Sequence, residues 1–176
     1  GRWELGTGLD AVARLREPEP PNADSPEAAD GPAAELRETL ARWSERAPER
    51  PLVLGLVGPP GSGRARRVRE LAAGEGQWLI ETDAGVLRSL EPRTSLWALR
   101  ELFAAARLWE AWICIAQVDL LEPGEPTLLA LQQCLDELGA PVSFLLAGQG
   151  PPDATGLRPR MTRRLRVDRS PEDQRA

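Results

Sequence analysis

Lysine, histidine and tyrosine are absent from the 176 residues, and cysteine occurs only twice. Without histidine there is no imidazole general base and no imidazole metal ligand. Cys114 and Cys134 show no C-x-x-C spacing, which excludes a zinc or dithiol redox motif and leaves buried structural thiols, in keeping with a reducing cytoplasm. No apolar run approaches the roughly 20 residues that cross a bilayer, and no signal-peptide pattern opens the chain, so neither a membrane anchor nor a leader is expected. A formal charge of −5 lacks the positive excess of a general nucleic-acid binder. All 22 basic residues are arginine, a bias of the kind a GC-rich genome produces. The chain opens on Gly1 rather than Met, so a piece of a longer cytoplasmic protein is expected.

The 41% hydrophobic content suits one domain with some extra chain. Residues 17–32, EPEPPNADSPEAADGP, are acidic, Pro-rich and poor in large apolar side chains, so they read as a disordered linker. Before them, residues 1–16 carry Trp3, Leu5, Leu9, Val12 and Leu15, a short amphipathic piece that can dock on the domain or on a neighbouring subunit. After them, residues 33–176 form the domain proper, beginning with a helix over Ala33–Arg46 that places Leu36, Leu40 and Trp43 at helical spacing.

From Pro51 onward strand-like and helix-like stretches alternate. Leu52–Val57, Gln77–Glu81, Trp112–Val118 and Val142–Ala147 are short apolar runs suited to strands buried on both faces. Ser95–Trp109 and Thr127–Leu138 carry leucines at helical spacing and read as crossover helices. This alternation predicts an α/β fold with a parallel sheet between helical layers and ligands at the carboxyl ends of the strands.

The most informative stretch is PLVLGLVGPPGSGRA. Gly58 and Gly63 stand at the glycine positions of the P-loop spacing Gly-x-x-x-x-Gly-Lys-Ser/Thr, with Pro59, Pro60, Gly61 and Ser62 between them. Arg64 and Ala65 fill the Lys and Ser/Thr positions. The glycines let backbone N–H groups turn inward, and the helix that follows adds its positive end, so an anion can still be cradled. Arg64 brings charge in a planar fork rather than a compact ammonium, and Ala65 has no hydroxyl for Mg²⁺.

Three other places carry chemistry. Asp119, near the end of WICIAQVD, is either the acid that helps hold Mg²⁺ in a P-loop ATPase or a cap residue at a strand end. The next residue is Leu120 where such ATPases commonly carry a Glu that polarises water, and Glu122 lies two further on. Gln149, between Gly148 and Gly150, either orients water and senses the γ-phosphate or is a plain turn residue. LRPRMTRRLRV holds five arginines, read as a solvated basic patch or, at Arg158 and Arg160, as an arginine finger offered to a nucleotide on an adjacent subunit.

Taken together, GPPGSGR, WICIAQVD, SFLLAGQG, LRPRMTRRLRV and RSPEDQRA resemble the successive core motifs of the AAA+ ATPases, over about residues 33–176. The stretch LWALRELFAAARLWEAWICIAQVDLL is similar to the first AAA module of tandem ATPases encoded with bacterial contractile injection systems. The resemblance implies a five-stranded parallel sheet of order 5-1-4-3-2 with helices on both faces, followed by a helical lid for which this sequence has no counterpart. It implies a ring with ATP or ADP and Mg²⁺ at subunit interfaces, and partners that are other AAA+ subunits or an adjacent AAA+ module. By position it implies phosphate contacts from Gly58, Gly61, Gly63 and Arg64, a Mg²⁺-side role for Asp119, Gln149 in place of the usual Asn, and a finger at Arg158 or Arg160. The departures at Arg64, Ala65, Leu120 and Gln149 all strike ATP turnover. The expected function is therefore a pseudo-ATPase that supports assembly or regulation of a larger ATPase. The alternatives are an ATPase or phosphotransferase in which Arg64 and Glu122 substitute for the missing groups beside Asp119, and an interaction scaffold that binds no nucleotide.

Overall fold

The computed structural model describes residues 8–18, 32–46, 50–149 and 155–168. Trp3, Leu5, most of the expected linker, Gly150 and the closing RSPEDQRA lie outside them.

Chain order is β1 (Ala13–Arg16), α1 (Pro32–Arg46), β2 (Leu52–Val57), α2 (Arg64–Gly74), β3 (Leu79–Asp83), α3 (Ala84–Arg88), α4 (Pro92–Leu108), β4 (Trp112–Ala116), α5 (Pro126–Gln133), β5 (Val142–Ala147) and β6 (Arg163–Arg166). The strands lie side by side as β1-β3-β4-β5-β2-β6. Strands β2 to β6 are mutually parallel where they pair, and counted as one to five they stand in the order 5-1-4-3-2. The expectation of an all-parallel five-stranded sheet is corrected at one edge. There β1 pairs antiparallel with β3, Ala13 opposite Thr82 and Arg16 opposite Leu79, making six strands and a mixed sheet.

The N-terminal piece thus docks on this same chain. The otherwise open edge of β3 offers it a row of unpaired backbone groups. Leu9 and Ala13 are buried, the Thr82 hydroxyl donates to the Val12 carbonyl at 2.8 Å, and Glu81 accepts from Arg16 on β1 and Arg69 on α2.

Alternation along each strand builds one core on each side of the sheet, because successive side chains point to opposite faces. Leu52, Leu54 and Leu56 of β2 join Trp112 and Cys114 of β4 and Phe144 of β5 on the face covered by α1 and α2. Val53, Ile113, Ile115 and Leu145 face the other way, against α4 and α5. Helix α4 buries Leu99, Leu102, Phe103 and Ala106 at helical spacing and starts on Pro92, where a missing N–H costs nothing. Its first turn is tied to that of α5 by the buried Ser95 and Thr127 hydroxyls, 3.1 Å apart. Both cysteines are buried free thiols, and burial pushes Cys134 up to about 11 and Cys114 higher still, which keeps them protonated and unreactive.

Three boundaries differ from expectation. Strand β3 runs over Leu79–Asp83 rather than Gln77–Glu81. Strand β4 stops at Ala116 rather than Val118, because Gln117 adopts a left-handed φ of 57° and starts a 3₁₀ turn over Val118–Leu120. The helix expected to run to Leu138 gives way after Gln133 to a π turn over Cys134–Leu138.

Candidate functional site

Strand β2 delivers the chain into the loop Gly58–Gly63, and α2 begins at Arg64. Gly58 is required by close approach: a Cβ there would collide with the Val167 carbonyl oxygen. Gly61 and Gly63 are required by backbone shape, with φ of 79° and 74°. The Gly58 N–H donates to Ala147 at the tip of β5 at 3.1 Å, and the Ser62 N–H closes the turn onto Pro59 at 3.1 Å. Gly63 is the N-cap and no side chain caps the helix, so the first turn of α2 presents backbone N–H groups and the positive end of its dipole to the loop.

Two cavities flank this loop. The smaller, about 290 Å³, is lined by Gly61–Arg66 and, across from them, by Ala116, Gln117, Leu146 and Gly148. The larger, about 960 Å³, is lined by Val57–Pro60, Asp119, Gln149 and residues of β6 and its exit. The structure therefore gathers Gly58, Pro59, Pro60, Gly61, Ser62, Gly63, Arg64, Ala65, Asp119 and Gln149 at one end of the sheet.

Within that end the roles divide. Arg64 donates from Nη1 to the Ala147 carbonyl, the same oxygen that accepts from Gly58. Burial pulls its guanidinium below the ordinary value, and the nearby Asp119 carboxylate pushes it back up. Asp119 itself sits in the 3₁₀ turn beyond the strand. Its Oδ2 accepts from the backbone N–H of Gly148 at 3.1 Å and of Gln149 at 3.4 Å, stapling the β4 exit to the tip of β5. Its carboxylate is thus engaged as a structural acceptor, and it does not line the cavity that contains Ala65. Glu122 pairs with Arg88 at 3.3 Å, beside the tighter Arg88–Glu125 pair at 2.8 Å, and lines neither cavity.

Gln117, facing Ala65 across the smaller cavity with Ala116, is the site residue that sequence reasoning missed. Its Nε2 donates to Asp83 Oδ2 at 2.8 Å, while Asp83 Oδ1 caps α3 through the N–H of Gly85 at 2.8 Å. The available signal was the end of the apolar run itself: WICIA is the strand, and Gln117 is the first polar residue after it.

The fit of Mg²⁺ can be judged from these donors. A protein-bound Mg²⁺ beside phosphates normally keeps one or two carboxylates in its shell, directly or through water. The smaller cavity offers the Gln117 amide and the Ser62 hydroxyl beside Ala65 and Ala116 but no carboxylate, and among the described residues no cluster of three or more Cys, Asp or Glu side chains could hold a metal. The residues present do not fit Mg²⁺.

Arg158 and Arg160 lie on a 3₁₀ turn before β6, away from both cavities. Arg160 is engaged within its own chain, donating to Asp136 at 2.7 and 2.5 Å and to the Gly156 carbonyl at 2.6 Å. The Arg160 hydrogen bond holds the Asp136 carboxyl below its usual value. A depressed carboxylate pKa contributes stability that is present above the unfolded value and lost as pH falls through the folded one. Because half of Asp136 is exposed, Asp136→Asn should cost no more than about 1 kcal/mol at pH 7. Urea denaturation should show that gap closing below the ordinary Asp value, and a gap independent of pH would contradict it.

No family model matches the chain, and no curated protein does. Among solved structures it is similar to the crystal structure of the FIGL-1 AAA domain in complex with ADP, with a TM-score of 0.68 and 21% identity over 93% of this chain and 60% of that one. The crystal structure of the FIGL-1 AAA domain alone gives the same TM-score and coverage at 24% identity. The chain thus spans about three fifths of those domains. These likenesses show an AAA-type α/β fold. No helix among the described residues is long and apolar enough to cross a membrane.

Proposed function

We propose that this chain is a degenerate AAA+ module: a P-loop domain that holds a nucleotide without hydrolysing it and supports the assembly or regulation of a larger ATPase. One observation carries the reading. The phosphate loop keeps the glycine geometry and the helix end that receive an anion, while Ala65, Ala116 and Gln117 stand where a hydroxyl and acids would have to act on a metal-bound phosphate. The ADP in a solved domain of the same fold supports a nucleotide as the ligand class. In this reading the phosphates sit over Gly61–Arg64, and the larger cavity beside Pro59 and Pro60 takes the nucleoside.

The partners proposed are other AAA+ subunits or an adjacent AAA+ module, as in the tandem ATPases of contractile injection systems that the sequence resembles. Arg158 and Arg160 are the residues proposed to face such a neighbour, and Arg160 would have to leave Asp136 to do so. The nucleotide part is tested by melting. ADP at about 100 times its Kd should stabilise the fold by roughly 2.7 kcal/mol. Gly63→Val should abolish the rise in Tm while the protein stays folded, since nothing lies within 4 Å of a Cβ there and only the left-handed backbone is strained. A wild-type Tm indifferent to ADP would favour the scaffold reading instead.

A further inference from the structure

The mismatch with Mg²⁺ has a sign. We propose that the loop takes the metal-free form of a nucleoside diphosphate, with Arg64 as its resident counter-charge, and that Mg²⁺ competes with the protein for the ligand instead of bridging the two. This rests on the nucleotide reading above.

The smaller cavity is lined by two arginines, Arg64 and Arg66, and by no carboxylate. In a metal-using site the acids offset the cation that arrives with the phosphates. Here a divalent cation would enter beside a guanidinium, with Ala65 and Ala116 as neighbours and only neutral side-chain oxygens, the Gln117 amide and the Ser62 hydroxyl, among the lining residues. Gln117 is already held through its NH₂ by Asp83, so its carbonyl oxygen is fixed in direction by that bond.

The uncomplexed diphosphate suits the same wall. Arg64 spends one N–H on a neutral carbonyl, and a guanidinium has five donors, so others remain for a charged oxygen, which is the stronger acceptor. Ser62 adds an independent sign of a ligand. It belongs to the same wall, its hydroxyl is buried, and it has no hydrogen-bond partner. Buried hydroxyls are normally satisfied, and a phosphate oxygen bound at the loop is one acceptor that would satisfy this one. Complexation of the diphosphate by Mg²⁺ cancels most of the charge that Arg64 would meet, which weakens the attraction rather than strengthening it.

The test is calorimetric titration of the whole 176-residue chain with ADP, in EDTA and in excess Mg²⁺ at matched ionic strength. The expected result is binding at least about tenfold tighter in EDTA. Arg64→Gln should lose about tenfold in EDTA and much less in Mg²⁺. Its circular-dichroism melt, compared with that of the parent chain, establishes that the variant is folded. Equal or tighter binding in Mg²⁺ would overturn the inference while leaving the nucleotide reading intact. No binding of ADP under either condition would overturn both.

Discussion

Incubated with ATP and Mg²⁺, the purified chain should release phosphate no faster than its Gly63→Pro variant, in which a fixed negative φ replaces the 74° that the loop requires. The physical reason is the loss of two kinds of transition-state contact. Ala65 supplies no hydroxyl, and the opposite wall supplies Ala116 and Gln117 where a carboxylate would be needed. Each contact of this type is commonly worth about 10²-fold or more in rate, so together they put the chain about 10⁴-fold below a complete P-loop ATPase. Asp119 does not rescue the reaction, because its Oδ2 is engaged by the N–H groups of Gly148 and Gln149, and Glu122 is turned toward Arg88. Asp119→Ala should therefore leave the phosphate-release rate at the same baseline while loosening the β5 tip. Mg²⁺-dependent release that disappears in Asp119→Ala would refute this account and restore the acid's catalytic role.

The second large effect is on stability. Gly58→Ala adds a methyl into the Val167 carbonyl, a backbone atom held in place because the Val167 N–H donates to Val57 at 2.7 Å. Neither side can yield without parting β6 from β2, and β6 forms one edge of the sheet. Overpacking in a rigid site costs about 1–3 kcal/mol and sometimes more, and this collision belongs at or above the top of that range. Two controls separate collision from backbone strain. Gly61→Ala has open space but a φ of 79°, so it should cost about 1–2 kcal/mol. Gly74→Ala, at the end of α2 with open space and no positive φ, should be neutral or stabilise by up to about 1 kcal/mol. Urea denaturation of the three variants would contradict the ranking if Gly58→Ala proved no worse than Gly61→Ala.

What the sequence made legible follows from how local each signal was. The strands β2, β4 and β5 are apolar over four or more consecutive residues because both faces are buried, so they announce themselves without knowledge of their neighbours. The phosphate loop was legible because glycine is demanded by φ at Gly61 and Gly63 and by contact at Gly58, and these demands leave fixed spacings. Strand β1 was not legible as a strand. Its four residues gain their conformation from the open edge of β3 and from Glu81, a partner 65 positions away from Arg16.

The misplacement of Asp119 has a similar cause. The apolar pattern WICIAQV runs through Val118, which is indeed buried, but Val118 is buried from a 3₁₀ turn after a left-handed Gln117. A positive φ at a residue other than glycine leaves no mark in sequence. With the strand two residues shorter than the pattern, Ala116 and Gln117 line the cavity that contains Ala65 and Asp119 does not. The arginines mislead differently: five in one short stretch look like a surface patch, yet Arg160 is bound to Asp136 and Gly156, and Arg163 to Glu35 on α1.

The central claim is a phosphate loop that binds and does not cut. Phosphorus NMR of ATP in the presence of a stoichiometric amount of the chain, followed over a day, tests both halves in one sample. The account predicts that the β- and γ-phosphorus resonances shift or broaden on addition of protein, recover with Gly63→Val, and give rise to no inorganic phosphate. Growth of a free-phosphate signal dependent on Mg²⁺, or ATP resonances identical with and without the protein, would contradict it.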